Sequence, residues 1–197
     1  RTSYAAFLDR CAAAGIRSIR GAYINGFYDE SPIHYEERLH GFAAVQQSMV
    51  NLPDVQGLSL RLAGEEFSCF AGRLDSFSQA LDTETGVYNR DITWTSPGGR
   101  TTRIIFRRLA SFAVTQLFLI RAEIQALNWS GRAEIISAQS GDVYQDSDPK
   151  DPRKAAARRK TLALQSLSLS EGVSLMELRT LGSGLRLASA VCHQLPE

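Results

Sequence analysis

The sequence predicts a mainly β fold, an antiparallel β-sandwich with a short N-terminal helix. Three observations carry that prediction. Apolar and polar residues alternate at period two over several separate stretches. Turn signals rich in Gly, Pro, Asn and Ser join those stretches. Helical periodicity shows only near the start, where Tyr4, Phe7, Leu8 and Cys11 fall at i, i+3, i+4 and i+7.

That first segment reads as one apolar helix face, with Thr2 or Ser3 as N-cap and Gly15 as the stop. From Gly57 the period is two. Leu58, Leu60 and Leu62 share a face opposite Ser59 and Arg61, and Ala63 to Glu66 turns the chain. Val87 to Thr95 is the next strand, with Ile92 and Trp94 on one face. Ser96-Pro97-Gly98-Gly99 closes a hairpin, and Arg103, Ile105 and Arg107 alternate against Ile104 and Phe106 on the way back. Ala113 to Leu127 reads as a long strand buried on both faces for part of its length. Asn128-Trp129-Ser130-Gly131 turns it into Ala133 to Ala138. Val173 to Thr180 and Leu185 to Cys192 flank Leu181-Gly182-Ser183-Gly184 as a last hairpin. Asp146 to Lys160 is expected to be an exposed loop with a helical turn at Ala155 to Ala157.

Composition bounds the function. The chain has 197 residues, 44% of them hydrophobic, and 22 Lys+Arg against 21 Asp+Glu give a net charge of +1. Such a chain can bury a sizeable core without disulfides or metal. The charge balance lacks the footprint of a nucleic-acid binder, and no apolar run reaches the roughly 18 residues of a spanning helix. The basic run Arg153 to Lys160 has Asp146, Asp148 and Asp151 beside it, which favours a solvated loop over a phosphate site. Cys11, Cys69 and Cys192 match no metal or redox spacing and read as reduced, buried thiols. His34, His40 and His193 lack ligand spacing.

No G-x-S-x-G, P-loop, H-E-x-x-H or paired-cysteine pattern occurs. The acidic pairs Asp29-Glu30 and Glu36-Glu37 are the remaining chemistry. Glycoside cleavage needs two carboxyl groups, or one acid plus an external nucleophile. Neighbouring carboxylates on a strand point to opposite faces, so spacing alone assigns no catalytic acid.

Gly21-Ala22-Tyr23-Ile24-Asn25-Gly26-Phe27-Tyr28-Asp29-Glu30 resembles the N-terminal domain of glycoside hydrolase family 65. Further similarities follow in the same order. They are Met49-Val50-Asn51-Leu52-Pro53, Leu81-Asp82-Thr83-Glu84-Thr85-Gly86-Val87, Ile92 to Thr102, Leu109-Ala110-Ser111 and Leu127 to Gly131. The similarity spans roughly residues 20 to 145. Each motif also has a structural reading: Gly86 permits a turn, and Trp94 and Trp129 fill the core or cover a sheet edge. Thr2 to Ile19 does not align to the Asn-Gly and Arg-Gly segment usual in the family, and the stretch after Gln145 is hard to align.

The resemblance implies a supersandwich-like single domain over residues 1–197, a truncated and non-catalytic N-terminal domain. The parent is then an inverting disaccharide phosphorylase acting on α-glucosides. Its catalytic glutamate and phosphate site lie in an (α/α)6 barrel absent from this chain, so no catalytic or metal-binding residue is expected here. No cofactor is implied, only inorganic phosphate as co-substrate of the parent. The implied partners are the disaccharide, the missing catalytic domain and a second copy in a homodimer, with neither nucleic acid nor membrane, in the cytoplasm. Asn25, Tyr28, Asp29 and Glu30 are the expected substrate-proximal residues, because amide, aromatic and carboxylate groups cluster there. Two alternatives stay open: a stand-alone carbohydrate-binding or assembly module, and the N-terminal domain of a trehalase-like family 65 hydrolase.

Overall fold

Alternating residues can bury one face only by pairing strands, and the chain does so repeatedly. The computed structural model describes residues 21–33, 35, 37, 39–145 and 159–195. Among them are fourteen strands and no helix. These are β1 (Tyr28–Pro32), β2 (Val45–Met49), β3 (Asp54–Leu62), β4 (Glu65–Glu66), β5 (Arg73–Leu81), β6 (Tyr88–Thr95) and β7 (Thr101–Ala110). They continue with β8 (Phe118–Ala126), β9 (Ala133–Ser140), β10 (Tyr144–Gln145), β11 (Arg159–Lys160), β12 (Leu162–Ser170), β13 (Val173–Thr180) and β14 (Arg186–Val191). The architecture is the mainly β, antiparallel sandwich class. The expected N-terminal helix and the turn at Ala155 to Ala157 lie outside the described residues, as do Cys11, His34 and Glu36.

The chain divides into two compact units, residues 1–55 with 139–197, and residues 56–138. The first holds the hairpin β1-β2, the short pair β10-β11 and the sheet β12-β13-β14. Its core is Val50, Leu52, Val143, Leu162, Met176 and Leu178, with Ala22, Phe27 and Leu187 packed on it. Period two is visible on β13, where Met176, Leu178 and Thr180 are buried between exposed Glu177 and Arg179.

The second unit is the meander β5-β6-β7-β8 with most of the sheet β4-β3-β9. Leu60, Leu62, Ile92, Trp94, Ile104 and Phe106 form its core. Register explains why: Ile92 lies opposite Ile104, Ile104 opposite Ile124, and Phe106 opposite Ala122. Trp94 is 1% exposed, donates its indole N–H to the Ala71 carbonyl at 2.7 Å and meets Phe67 edge-on. Truncating so large a core side chain to Ala costs about 3–5 kcal/mol. The opposite sheet face is charged: Arg103 grips Asp91 through two hydrogen bonds, 3.0 and 2.5 Å, and Glu123 pairs with both Arg107 and Arg121.

Two hairpins turn on adjacent positive-φ residues, Ala63-Gly64 (47° and 87°) and Glu171-Gly172 (49° and 77°). Paired left-handed residues define the two-residue turn whose twist matches antiparallel strands. Ala and Glu are unusual occupants of the first position.

Three expectations are corrected. Residues 113–117 are not a buried strand; β8 begins at Phe118, and Ala113 to Leu117 are exposed. Ser111 makes the difference. Its hydroxyl accepts the Val114 N–H at 3.0 Å, and its own N–H reaches the Leu117 carbonyl at 3.0 Å, so the chain loops. Cys69 and Cys192 are free thiols as expected, but exposed rather than buried. Arg159 and Lys160, read as loop, pair with Gln145 and Tyr144.

Candidate functional site

The Tyr23–Glu30 segment is shaped by one turn and one strand. Phe27 N–H bonds the Ile24 carbonyl at 3.3 Å, placing Asn25 and Gly26 at the tip. Gly26 takes φ +82°, a conformation that suits glycine at the third turn position. Asn25 is therefore exposed, with Tyr23 and Ile24 each half-exposed beside it. The segment is anchored from below by Asn51. Its amide oxygen accepts the Ala22 N–H at 3.1 Å and its NH2 donates to the Tyr144 carbonyl at 3.2 Å.

From Tyr28 the pleat of β1 alternates the side chains. Tyr28 is half-buried, Asp29 is 2% exposed, Glu30 faces solvent and Ser31 is buried. Asp29 Oδ1 accepts the backbone N–H groups of Gly182 at 2.8 Å and Ser183 at 2.9 Å. Ser183 returns a bond, its hydroxyl donating to the Tyr28 carbonyl at 2.7 Å. Gly182 has no room for a side chain, since a Cβ there would overlap the Glu30 carbonyl. Glu30 Oε1 instead takes the amide of Gln47, its cross-strand neighbour, at 3.0 Å. Further along the hairpin, exposed Tyr35 and Phe42 meet at 4.9 Å.

Of the four residues singled out from sequence, the structure leaves Asn25 and Glu30 outward and Tyr28 at the boundary. Asp29 points inward, onto the β13-β14 loop. The two adjacent carboxylates diverge and do not form a paired acid and base. Among the described residues no group of three or more His, Cys, Asp or Glu could hold a metal ion. The exposed strip offers an amide, a carboxylate and aromatic edges, which suits hydrogen bonding and stacking on a sugar. Gln47, Tyr35 and Phe42 were not singled out from sequence; the β1-β2 pairing that brings Gln47 in is invisible to local pattern.

The other motif residues hold turns. Asp82 accepts the N–H of Glu84 and the hydroxyl of Thr85, which with other bonds hold its carboxyl below the ordinary value. Glu65 accepts the Ser96 hydroxyl at 2.8 Å, the Gly98 N–H at 2.9 Å and Arg100 at 2.6 Å, and its carboxyl is likewise lowered, most by Ser96. Asn128 bridges the Thr101 N–H and the Gly99 carbonyl, while Trp129 donates to Thr102. A shared order of such turn and core residues is a signature of a fold rather than of a reaction centre.

Comparison with known proteins places that signature. A family model described as glycosyl hydrolase family 65, N-terminal domain, matches residues 10–197, further at both ends than the motifs alone reach. The chain belongs to that family. Among its relatives is an alpha,alpha-trehalose phosphorylase of Geobacillus stearothermophilus, 35% identical over 88% of this chain and 23% of the relative. An alpha,alpha-trehalose phosphorylase of Thermoanaerobacter brockii is 33% identical over 75% of this chain and 19% of the relative. A kojibiose phosphorylase of Halothermothrix orenii is 31% identical over 63% of this chain and 14% of the relative. A solved chain, a candidate kojibiose phosphorylase from the human microbiome, superposes with TM-score 0.70 at 16% identity, covering 88% of this chain and 22% of that one. The chain thus spans less than a quarter of the length of these relatives.

Proposed function

We propose that this chain works as the non-catalytic N-terminal domain of an inverting disaccharide phosphorylase acting on an α-glucoside, with inorganic phosphate as co-substrate. The family match over residues 10–197, together with relatives named as trehalose and kojibiose phosphorylases, carries the reading. The diverging carboxylates of Asp29 and Glu30 favour a scaffold over a reaction centre within β1. In this reading the catalytic acid and the phosphate site belong to another domain of the enzyme. The chain packs on that domain, contributes to a homodimer and presents Asn25, Tyr28 and Glu30 at the mouth of the substrate cleft.

The test is the complete gene product with trehalose, kojibiose and maltose, each with and without phosphate. Phosphate-dependent release of β-glucose 1-phosphate is expected. Phosphate-independent hydrolysis to glucose would replace the phosphorylase reading with the hydrolase one. Turnover by the 197-residue chain alone would overturn the scaffold role.

A further inference from the structure

Asn25 and Gly26 form the tip of the turn that opens the Tyr23–Glu30 segment, and both are exposed. An asparagine side chain and the peptide nitrogen that follows it can close into a cyclic imide. The closure needs a peptide nitrogen without an acceptor, a side-chain amide without a partner, and a clear approach between them. Glycine in the next position gives the clearest approach, because it has no β-carbon.

The turn meets each need. Its own hydrogen bond uses the Phe27 N–H, and among the described residues the Gly26 N–H has no acceptor. The Asn25 side-chain amide makes no hydrogen bond among them either. Even the place where a Gly26 β-carbon would sit has nothing within 4 Å, so the space around the nitrogen is open. The other asparagines of the chain are held differently. Asn51 is 7% exposed, with its amide engaged by the Ala22 N–H and the Tyr144 carbonyl. Asn89 lies within β6, paired with Ala80 and Arg107. Asn128 bonds the Thr101 N–H and the Gly99 carbonyl. These three precede Leu52, Arg90 and Trp129, and Asn25-Gly26 is the single Asn-Gly pair in the sequence.

We propose that Asn25 is a site of self-modification, at which the Gly26 nitrogen attacks Asn25 Cγ. The N–Cγ bond forms, the Cγ–Nδ2 bond breaks, and Nδ2 leaves as ammonia with the Gly26 proton. Water then opens the imide. Opening at the side-chain carbonyl gives aspartate; opening at the main-chain carbonyl gives isoaspartate, whose backbone runs through the β-carbon. Either product puts a carboxylate where the tip carried a neutral amide. The modification stands on the turn alone. A resulting change of KM as the enzyme ages rests on the phosphorylase reading above, in which Asn25 lies at the cleft mouth.

The test is mass spectrometry of the complete gene product, kept folded at neutral pH and digested at intervals. The Asn25 peptide should exchange NH2 for OH roughly tenfold faster than the peptides of Asn51, Asn89 and Asn128, since placement of the reacting atoms governs such intramolecular rates. Labelling by an isoaspartyl methyltransferase with S-adenosylmethionine should show the β-linked product in the same peptide. Conversion in the denatured product but not in the folded one would overturn the proposal, and so would equal rates at all four asparagines. Aspartate without any isoaspartate would overturn the imide route. An Asn25→Gln variant should lose the fast conversion; methyltransferase labelling of that peptide at the original rate counts against the site. Kinetics on the same aged samples separate the two readings. Conversion without phosphorolysis sinks only the enzyme assignment, and an active phosphorylase whose Asn25 stays unconverted sinks only the modification.

Discussion

Asp29 and Ser183, 154 positions apart, are joined by a hydrogen bond of 2.9 Å from the Ser183 N–H to Asp29 Oδ1. Gly182 makes the same bond at 2.8 Å. One buried carboxylate therefore gathers two N–H groups of a hairpin loop, and Asp29→Ala would leave both without that acceptor. A loss of about 1–3 kcal/mol is expected, read by urea denaturation. Asp29→Asn keeps an oxygen acceptor and should lose less. Gly182→Ala should destabilise as well, because its Cβ would meet the Glu30 carbonyl. Wild-type stability in Asp29→Ala would refute the structural role.

Acid should weaken the fold, by a direction that the carboxylates fix. Glu65, Asp75, Asp82 and Asp91 all sit below their ordinary values, held by Ser96, Thr95, Thr85 and Arg103 in turn. The unfolded chain takes up protons first, near the ordinary 4.5 for Glu and 3.8 for Asp. Stability from these groups is thus present above about pH 5 and declines as pH falls through the folded-state values. Thermal midpoints between pH 7 and pH 3 should trace that decline, and Asp91→Asn should flatten part of it. A midpoint that is flat to pH 3 would contradict the assignment.

Glu171 holds φ +49° next to Gly172 at +77°, a conformation that β-carbon sterics disfavour and Asn tolerates better. Glu171→Asn should therefore stabilise the β12-β13 hairpin by up to about 1 kcal/mol. Calorimetry on the variant checks it. A lowered midpoint would mean that the Glu171 side chain contributes more than its backbone strain costs.

Asn25 and Glu30 bear on function rather than folding, since both side chains face solvent. In the complete gene product, Asn25→Ala and Glu30→Ala should change KM for the disaccharide while leaving the unfolding free energy within about 0.5 kcal/mol of wild type. Unchanged kinetics in both variants would remove this strip from the cleft.

How much was legible depended on whether local pattern and burial agreed. Ile92, Trp94, Ile104 and Phe106 alternate in sequence and line one core, so β6 and β7 could be read residue by residue. β5 could not, because Arg73 to Leu81 is exposed along its whole length and no one-sided burial imposes alternation. Val45 to Met49 is a polar strand for a similar reason. Ala113 to Leu117 misled in the other direction: an apolar run looks like a buried strand until a serine turns it outward. At the candidate site the pleat predicted that Asp29 and Glu30 would diverge. Which of them would turn inward depended on Gly182 and Ser183, and no window of local sequence contains both partners.

The Asp29 bond also has a temporal side. The first unit draws its strands from both sides of residues 56–138, so β1 cannot complete its contacts until the loop at residue 182 exists. At synthesis rates of about 5–20 residues per second, that interval is on the order of ten seconds. During it the buried carboxylate has no loop to bind, while residues 56–138 can already close their own core. The chain is thus expected to fold from its middle outward on the ribosome, with its N-terminal hairpin among the last pieces to be fastened.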